Sequence, residues 1–571
     1  MATVQSTTER SGLIDQAGVR HLALLVCIVL LVWVPRLSGP IDLRYDGGVY
    51  YILGTSLAEG KGYRLLNEPG EIEAVQYPPL LPVFVAAHQR VLGTSDTIVV
   101  GQALRFSFLA LLVAYAIATY ALARQLLTPG FALLVGALTS LQHFTVFLSD
   151  LLFAEVPFAL ATVAFVVCHR ASRRGRFVLM ALLGTVAFLL RSFGIALLGA
   201  WIADAFLRRH FGQTALRLAV ALVPILLWYS FIARVTTGPE YTHPTYPYQR
   251  APYQYYNVSY ASNLKLIDPF RPELGQASPA DLGRRLLSNA GGLIPYLGEA
   301  VVGPRRFWDN TLGRIHWRLS GAVNLFFGTL VLAGLGLLAS RGEWLIPLYI
   351  LASVSIIFIT PWPAQFTRYL SPLAPFLALA LAELLSRARR WSLQRPEGEA
   401  IRIITHATAT LAVAMQVTQL LVAFALFHEP ATHVDARGTR ADGRLFYYDR
   451  RWQAFDTSLD WFRQHAVGEG VVATSAPHRI YLTTGLKAVL PPLEADPALA
   501  QRLLDSVPVR YVIVDDLTFT DLSRWYAGPV VESRPDLWEL VYAEGTRIYR
   551  RRDIPPSGGA STAAVPGRPG G

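Results

Sequence analysis

Asp42-Leu43-Arg44-Tyr45-Asp46-Gly47-Gly48-Val49-Tyr50-Tyr51 begins within ten residues of the end of a long apolar run, His21–Leu37. A second signature, Tyr77-Pro78-Pro79-Leu80-Leu81-Pro82, closes the same polar stretch. An apolar run of this kind reads as a membrane helix. A carboxylate held just beyond it, before an amphipathic segment, suits chemistry on a membrane-bound substrate.

The rest of the chain extends that reading. Its 571 residues are 53% hydrophobic and 16% charged, against about 25% charged in soluble domains. The shortfall lies in long apolar blocks, which defines a mostly α, polytopic membrane protein. The net charge of +11 does not form a nucleic-acid footprint, because the basic residues sit at the ends of apolar runs. Nucleic acid is therefore excluded as a partner, and membrane lipids are expected ones. Cys27 and Cys168 lie in or at the end of apolar segments, without disulfide or metal-ligand spacing. No small-residue cleavage site follows the first run, so it is expected to stay as a helix.

Eleven apolar runs are candidates for spanning helices, at about 21–37, 98–122, 129–147, 152–169, 177–191, 193–207, 215–233, 320–340, 343–360, 369–386 and 401–427. Basic residues cluster in alternate connections: Arg10 and Arg20, Arg124, Arg170 to Arg176, Arg208 to Arg217, Arg341, and Arg387 to Arg402. Positive residues stay on the cytoplasmic side. Residues 1–20 are then a cytoplasmic N-terminus, and loops 38–97 and 234–319 lie outside. This places Asp46, Asp150, Glu155, Arg191 and Arg368 at one face, directed to the periplasm of a bacterial inner membrane or its equivalent. Within loop 38–97, Val49–Glu59 and Pro79–Val91 read as two short helices lying in the membrane interface.

Beyond 428 the pattern changes. Helix-like Ser458–His465 and Pro497–Ser506 alternate with strand-like Gly470–Thr474, Arg510–Val514, Trp538–Tyr542 and Arg547–Arg551. Residues 428–554 therefore read as a small α/β extracytoplasmic domain, and the Pro/Gly/Ser/Ala-rich 555–571 as a disordered tail.

Four patches in order carry a resemblance. The first is Tyr45-Asp46-Gly47-Gly48-Val49-Tyr50-Tyr51 with Leu57–Tyr63 and Tyr77–Pro82. The second is Ser149-Asp150-Leu151-Leu152-Phe153-Ala154-Glu155-Val156-Pro157-Phe158, and the third Leu190-Arg191-Ser192-Phe193-Gly194. The fourth is Arg368-Tyr369-Leu370-Ser371-Pro372-Leu373-Ala374-Pro375-Phe376. On this topology they resemble the GT-C superfamily of polytopic glycosyltransferases, near bacterial relatives of protein O-mannosyltransferases and of the aminoarabinose transferases that modify lipid A. The resemblance implies transfer of a sugar from a polyprenyl-phosphate donor to an extracytoplasmic acceptor. One departure stands out: family members often carry Asp-Glu where this chain has Asp46-Gly47.

Transfer to a hydroxyl needs a base, and the departing phosphate needs its charge stabilised. Asp46 is the expected base, although Asp-Gly is also a turn signal. Glu155 and Asp150 are further candidate catalytic carboxylates. No cofactor is fixed by sequence; Asp46 with Glu155 or Asp150 could hold Mg²⁺ or Mn²⁺. Arg191 and Arg368 are the expected phosphate clamp, with Lys61 a weaker third. Tyr50, Tyr77 and Tyr246, the last from a tyrosine-rich stretch in loop 234–319, are expected sugar or lipid contacts. The rival functions are a flippase for lipid-linked sugars and a non-catalytic envelope scaffold.

Overall fold

A computed structural model describes residues 16–170, 175–396, 398–466, 470–517 and 521–553. The tail 555–571, most of the expected cytoplasmic N-terminus, and Arg10, Arg173 and Arg174 fall outside the described residues.

Each expected apolar run coincides with a helix or helix pair. Among the described residues, six helical stretches are long and apolar enough to cross a membrane: Gln16–Arg36, Thr97–Arg124, Phe211–Thr237, Leu319–Ser340, Pro363–Leu393 and Glu399–Phe427. The run expected at 129–147 is broken into Pro129–Ser140 and His143–Asp150, bent by 49°. Arg176–Leu190 and Leu345–Ile359 are shorter apolar helices. The chain is a multi-pass membrane protein. By length and composition six stretches among the described residues, or seven with the bent pair, reach a membrane's thickness, so the expected eleven spans are seen only in part.

The connections sort into two groups. Arg170 pairs with Glu343, Arg208 donates to the carbonyl of Gly342, and Asp204 gathers His169, Arg208 and Arg217. The arginines among them lie in connections that the charge pattern puts on one side. Asp46, Glu155, Arg191 and Arg368 meet elsewhere, at the other helix ends.

Loop 38–97 forms the helices Asp46–Ala58 and Leu80–Leu92, within a few residues of expectation. Loop 234–319 is more ordered than the sequence suggested, with helices Pro279–Gly291 and Leu293–Val302. The second packs on Leu319–Ser340 at backbone distance. A Cβ on Gly298 would lie 2.0 Å from the carbonyl oxygen of Asn324, and one on Gly328 1.8 Å from that of Ile294. Small residues permit such close approach between membrane helices.

Two compact units divide at Asp449/Arg450, not at the expected 427/428, and Asn67–Pro69 goes with the second. The reason lies in the hairpin His428–Val434 with Arg440–Phe446. It belongs to the membrane unit: Phe446 packs with Leu141, Val146 and Leu420, and the Tyr447 hydroxyl lies 2.8 Å from Nε2 of His143.

The second unit is the α/β fold the alternation implied. Its five-stranded sheet has the order Ala488–Val489, Val471–Ala473, Val509–Val514, Arg547–Arg551, Trp538–Ala543. The first three strands are parallel and the last two antiparallel. Val509–Val514 is buried throughout, as a central strand covered on both faces requires. Asn67 exchanges two hydrogen bonds with Ala488 at the sheet edge, 2.8 and 3.1 Å long.

Candidate active site

The first element of the site is a sharp turn. Tyr45 has φ +56°, a conformation that L-residues rarely adopt and that costs of order 1–3 kcal/mol. It is braced on both sides. Its ring packs on Leu148, Leu151 and Phe153. Arg44 binds Asp42 through Nε and Nη2 at 3.0 and 2.8 Å and donates to the carbonyls of Phe446 and Tyr447. Burial opposes charge on Asp42, but the Arg44 guanidinium outweighs it and holds the carboxyl below its usual range. The chain leaves this turn as the helix Asp46–Ala58, with Asp46 in the first turn, where the helix dipole favours a negative charge.

Gly47 follows because there is little room for anything larger. A Cβ there would lie 3.2 Å from the Asp42 carbonyl oxygen and 3.6 Å from the Leu152 Cβ. The Asp-Gly pair lies at a helix start, where the Asp42 carbonyl and Leu152 leave limited room for a side chain at Gly47.

Three distant segments then converge on Asp46. Glu155 starts the helix Glu155–Arg170, Arg191 follows the helix Arg176–Leu190, and Arg368 lies in Phe366–Leu370. Arg368 bridges the two carboxylates, with Nη2 3.0 Å from Asp46 Oδ2 and Nε 2.9 Å from Glu155 Oε1. The same Oε1 lies 2.5 Å from Arg191 Nη1. The Arg368 guanidinium also stacks 4.5 Å above the Phe153 ring. Glu155 is nearly buried at 4% exposure, whereas Asp46 and the two arginines keep 15–20%. The arrangement is a buried carboxylate holding two guanidinium groups beside a second, more open carboxylate.

Asp46 and the two arginines face a cavity of about 280 Å³ whose lining also includes Tyr50, Gln76, Tyr77, Tyr255, Tyr260 and Tyr369. Burial and the nearby Asp46 charge push the phenols of Tyr77 and Tyr255 well above their usual range, so they remain O–H donors. Beside the cavity runs an apolar groove of about 670 Å³, lined by Leu57, Tyr63, Pro79, Leu189, Leu227, Trp228 and Phe231 among others. Sequence neighbours join the two spaces: Pro78, Leu190 and Tyr229 line the cavity, while Pro79, Leu189 and Trp228 line the groove.

Other expected site residues lie elsewhere. Asp150 is 1% exposed and binds Arg36 and Arg105 at 3.2 Å each; it does not line the cavity. Lys61 is half-exposed and pairs with Glu59 and Glu71 at 3.1 and 3.5 Å. Tyr246 is not among the lining residues, and from its tyrosine-rich loop Tyr255 and Tyr260 are. Sequence reading singled out neither Gln76 nor Tyr369 as a site residue, because one neutral amide and one more tyrosine carry no local signal.

The donor set for a divalent cation does not fit. Arg368 stands between Asp46 and Glu155 and bonds both. No group of three or more metal-capable side chains occurs among the described residues. Mg²⁺ and Mn²⁺ want several oxygen ligands around one point, whereas here a guanidinium holds that point.

The fold has solved counterparts. The oligosaccharyltransferase of Archaeoglobus fulgidus, tethered to an acceptor peptide, matches over 95% of this chain and 75% of its own, with TM-score 0.53 and 12% identity. Its apo form matches over 87% and 69%, with TM-score 0.51 and 15% identity. ArnT from Cupriavidus metallidurans bound to undecaprenyl phosphate covers 92% and 97%, with TM-score 0.49 and 12% identity. No protein-family model matches the chain, and no curated protein matches it. At this identity the likeness establishes the fold alone: the chain shares the fold of the Archaeoglobus fulgidus oligosaccharyltransferase.

Proposed function

We propose that the chain is a membrane glycosyltransferase that moves a sugar from a polyprenyl-phosphate donor to an acceptor hydroxyl outside the cytoplasm. The carrying observation is the convergence of one partly open carboxylate, Asp46, with two guanidinium groups on a tyrosine-lined cavity that adjoins an apolar groove. The fold shared with an oligosaccharyltransferase supports glycosyl transfer as the reaction class.

Asp46 is the general base. The acceptor oxygen bonds to the anomeric carbon, and the bond from that carbon to the phosphate oxygen breaks. Polyprenyl phosphate leaves with the electron pair, and the hydroxyl proton passes to Asp46. Arg191 and Arg368 clamp the phosphate, whose charge paired guanidinium groups match in geometry. Glu155 holds those two arginines in place. The prenyl tail occupies the apolar groove, while Tyr50 and Tyr77 contact the sugar. Arginine supplies the positive charge that a metal ion would otherwise bring.

Purified full-length protein supplied with polyprenyl-phosphate sugars tests this. Release of free polyprenyl phosphate with an acceptor is expected, and EDTA should leave it unchanged. Asp46→Asn should lower transfer about 10²–10⁴-fold, the usual contribution of a general base, with carrier binding kept. Full activity in that variant removes Asp46 as the base. Movement of the carrier across vesicles without bond cleavage replaces the transferase with a flippase.

A further inference from the structure

Two polar side chains lining the cavity have no hydrogen-bond partner among the described residues. The Gln76 side chain leaves both its Oε1 and its Nε2 unpaired, and the Tyr77 hydroxyl is likewise unpaired. Gln76 is only 5% exposed. A buried amide without partners is destabilising, so native interiors rarely leave one. Here both sit on one short segment that lines the cavity, with the polar atoms themselves covered.

The segment is also held still. The Tyr63 hydroxyl donates to the carbonyl of Tyr77 at 2.9 Å. Pro78 and Pro79 fix the backbone that follows. The Tyr77 ring lies against Tyr50 with centroids 4.9 Å apart. Gln76 and Tyr77 are therefore presented as a fixed donor–acceptor–donor set, a few residues from the groove wall at Pro79.

We infer that Gln76, with Tyr77, is the glycosyl-recognition element of this site, and that it takes a neutral sugar through neighbouring hydroxyls. This rests on the transferase reading above and deepens it. An amide offers one acceptor and two donors, the complement of a vicinal diol whose hydroxyls both give and accept. The charged lining groups, Asp46 paired with Arg368 and both arginines with Glu155, are taken up by the acceptor hydroxyl and the phosphate in that reading. The groups left for the sugar are the amide and the phenols, all neutral. At the amide and phenols themselves, a sugar's ammonium or carboxylate group would find hydrogen-bond partners but no opposite charge. Gln76 thus sets which sugar is accepted, and the arginines set that the carrier is a phosphate.

The test uses full-length protein in detergent and displacement of labelled polyprenyl phosphate. The competitors are unlabelled polyprenyl phosphate, polyprenyl-phosphate mannose and glucose, and a carrier bearing an amino sugar. Wild type should prefer a neutral-sugar carrier over bare polyprenyl phosphate and over the amino-sugar carrier. Gln76→Met, which keeps the length and removes the polar atoms, should cut the neutral-sugar preference by about tenfold or more. Its affinity for bare polyprenyl phosphate should stay within twofold, and its thermal midpoint should be equal or higher, because an unpaired buried amide is gone. Tyr77→Phe should shift the preference in the same direction by a smaller factor. Equal loss for sugar-loaded and bare carriers, no loss for either, or a preference for the amino-sugar carrier overturns the assignment. Failure of wild type to bind bare polyprenyl phosphate at all overturns the transferase reading and this assignment with it.

Discussion

Asp150, expected among the catalytic carboxylates, is held between two buried arginines, and one substitution tests what it does there. Its Oδ1 is 3.2 Å from Arg36 Nη2 and 3.2 Å from Arg105 Nη2, and all three side chains are at most 1% exposed. Arg36 also stacks 4.4 Å from the Trp33 ring, and both Trp33 and Arg36 donate to the Ser149 hydroxyl, at 2.9 and 3.3 Å. Asp150→Asn keeps the shape and removes the charge. Two buried guanidinium groups then lose the carboxylate they share. Breaking one buried ion pair typically costs about 3–5 kcal/mol, and here two depend on one atom, so the upper part of that range applies. Against a typical stability of about 5–15 kcal/mol, this is a large fraction.

The assay is thermal unfolding in detergent beside transfer activity normalised to folded protein. The expected result is a sharp drop in the unfolding midpoint, with activity per folded molecule falling less than about tenfold. The second figure is not zero because the backbone at Asp150 carries some of the site: its carbonyl accepts from Asp42 N at 3.1 Å, and Leu152 N donates to the Asp42 carbonyl at 3.0 Å. A companion variant, Arg105→Gln, should lose part of the same energy, and the two losses should not add. An Asp150→Asn protein with an unchanged midpoint and transfer down more than a hundredfold would refute the structural role and return Asp150 to the chemistry.

Two further outcomes follow from the geometry. Arg191→Gln should weaken binding of free polyprenyl phosphate by about tenfold to a hundredfold, the worth of a charge-assisted hydrogen bond, measured by displacement; Glu155 keeps Arg368 as a partner at 2.9 Å, so the fold should persist. In the second unit, burial lowers the His478 pKa from 6.5 to about 3. The folded state keeps this ring neutral, so its stability is fully present above pH 6.5 and is lost as pH falls from 6.5 towards 3. The loss at pH 5 is about 2 kcal/mol at 1.36 kcal/mol per unit. His478→Leu should flatten that part of the midpoint-against-pH curve between pH 7 and 5, and an unchanged slope counts against it.

What could be read from sequence, and what could not, divides along a physical line. Asp46, Glu155, Arg191 and Arg368 are charges beside or within apolar runs, where an unpaired charge is expensive; that cost makes them visible in one dimension. Their grouping was legible too, because charge bias fixes which helix ends share a side. Asp150 satisfies the same local criterion, so the criterion alone could not separate it. Its partners are Arg36, at the end of the first apolar run, and Arg105, inside Thr97–Arg124, and only the folded chain shows that they meet. Lys61 fails for the opposite reason. It is a loop cation that Glu59 and Glu71 neutralise locally, and nothing in the sequence distinguishes such a lysine from a phosphate ligand. Gln76 shows the deepest limit. A neutral amide in a loop carries no patterning cost, and its significance comes from burial without a partner, a property that does not exist until the cavity does. The hairpin after 428 was not singled out in the sequence, and its allegiance to the membrane unit rests on Arg44 reaching the carbonyls of Phe446 and Tyr447, some four hundred residues away in sequence. Charges that must pay for burial announce themselves in sequence, whereas neutral recognition groups and the backbone acceptors that brace a turn become visible only once the fold has placed them.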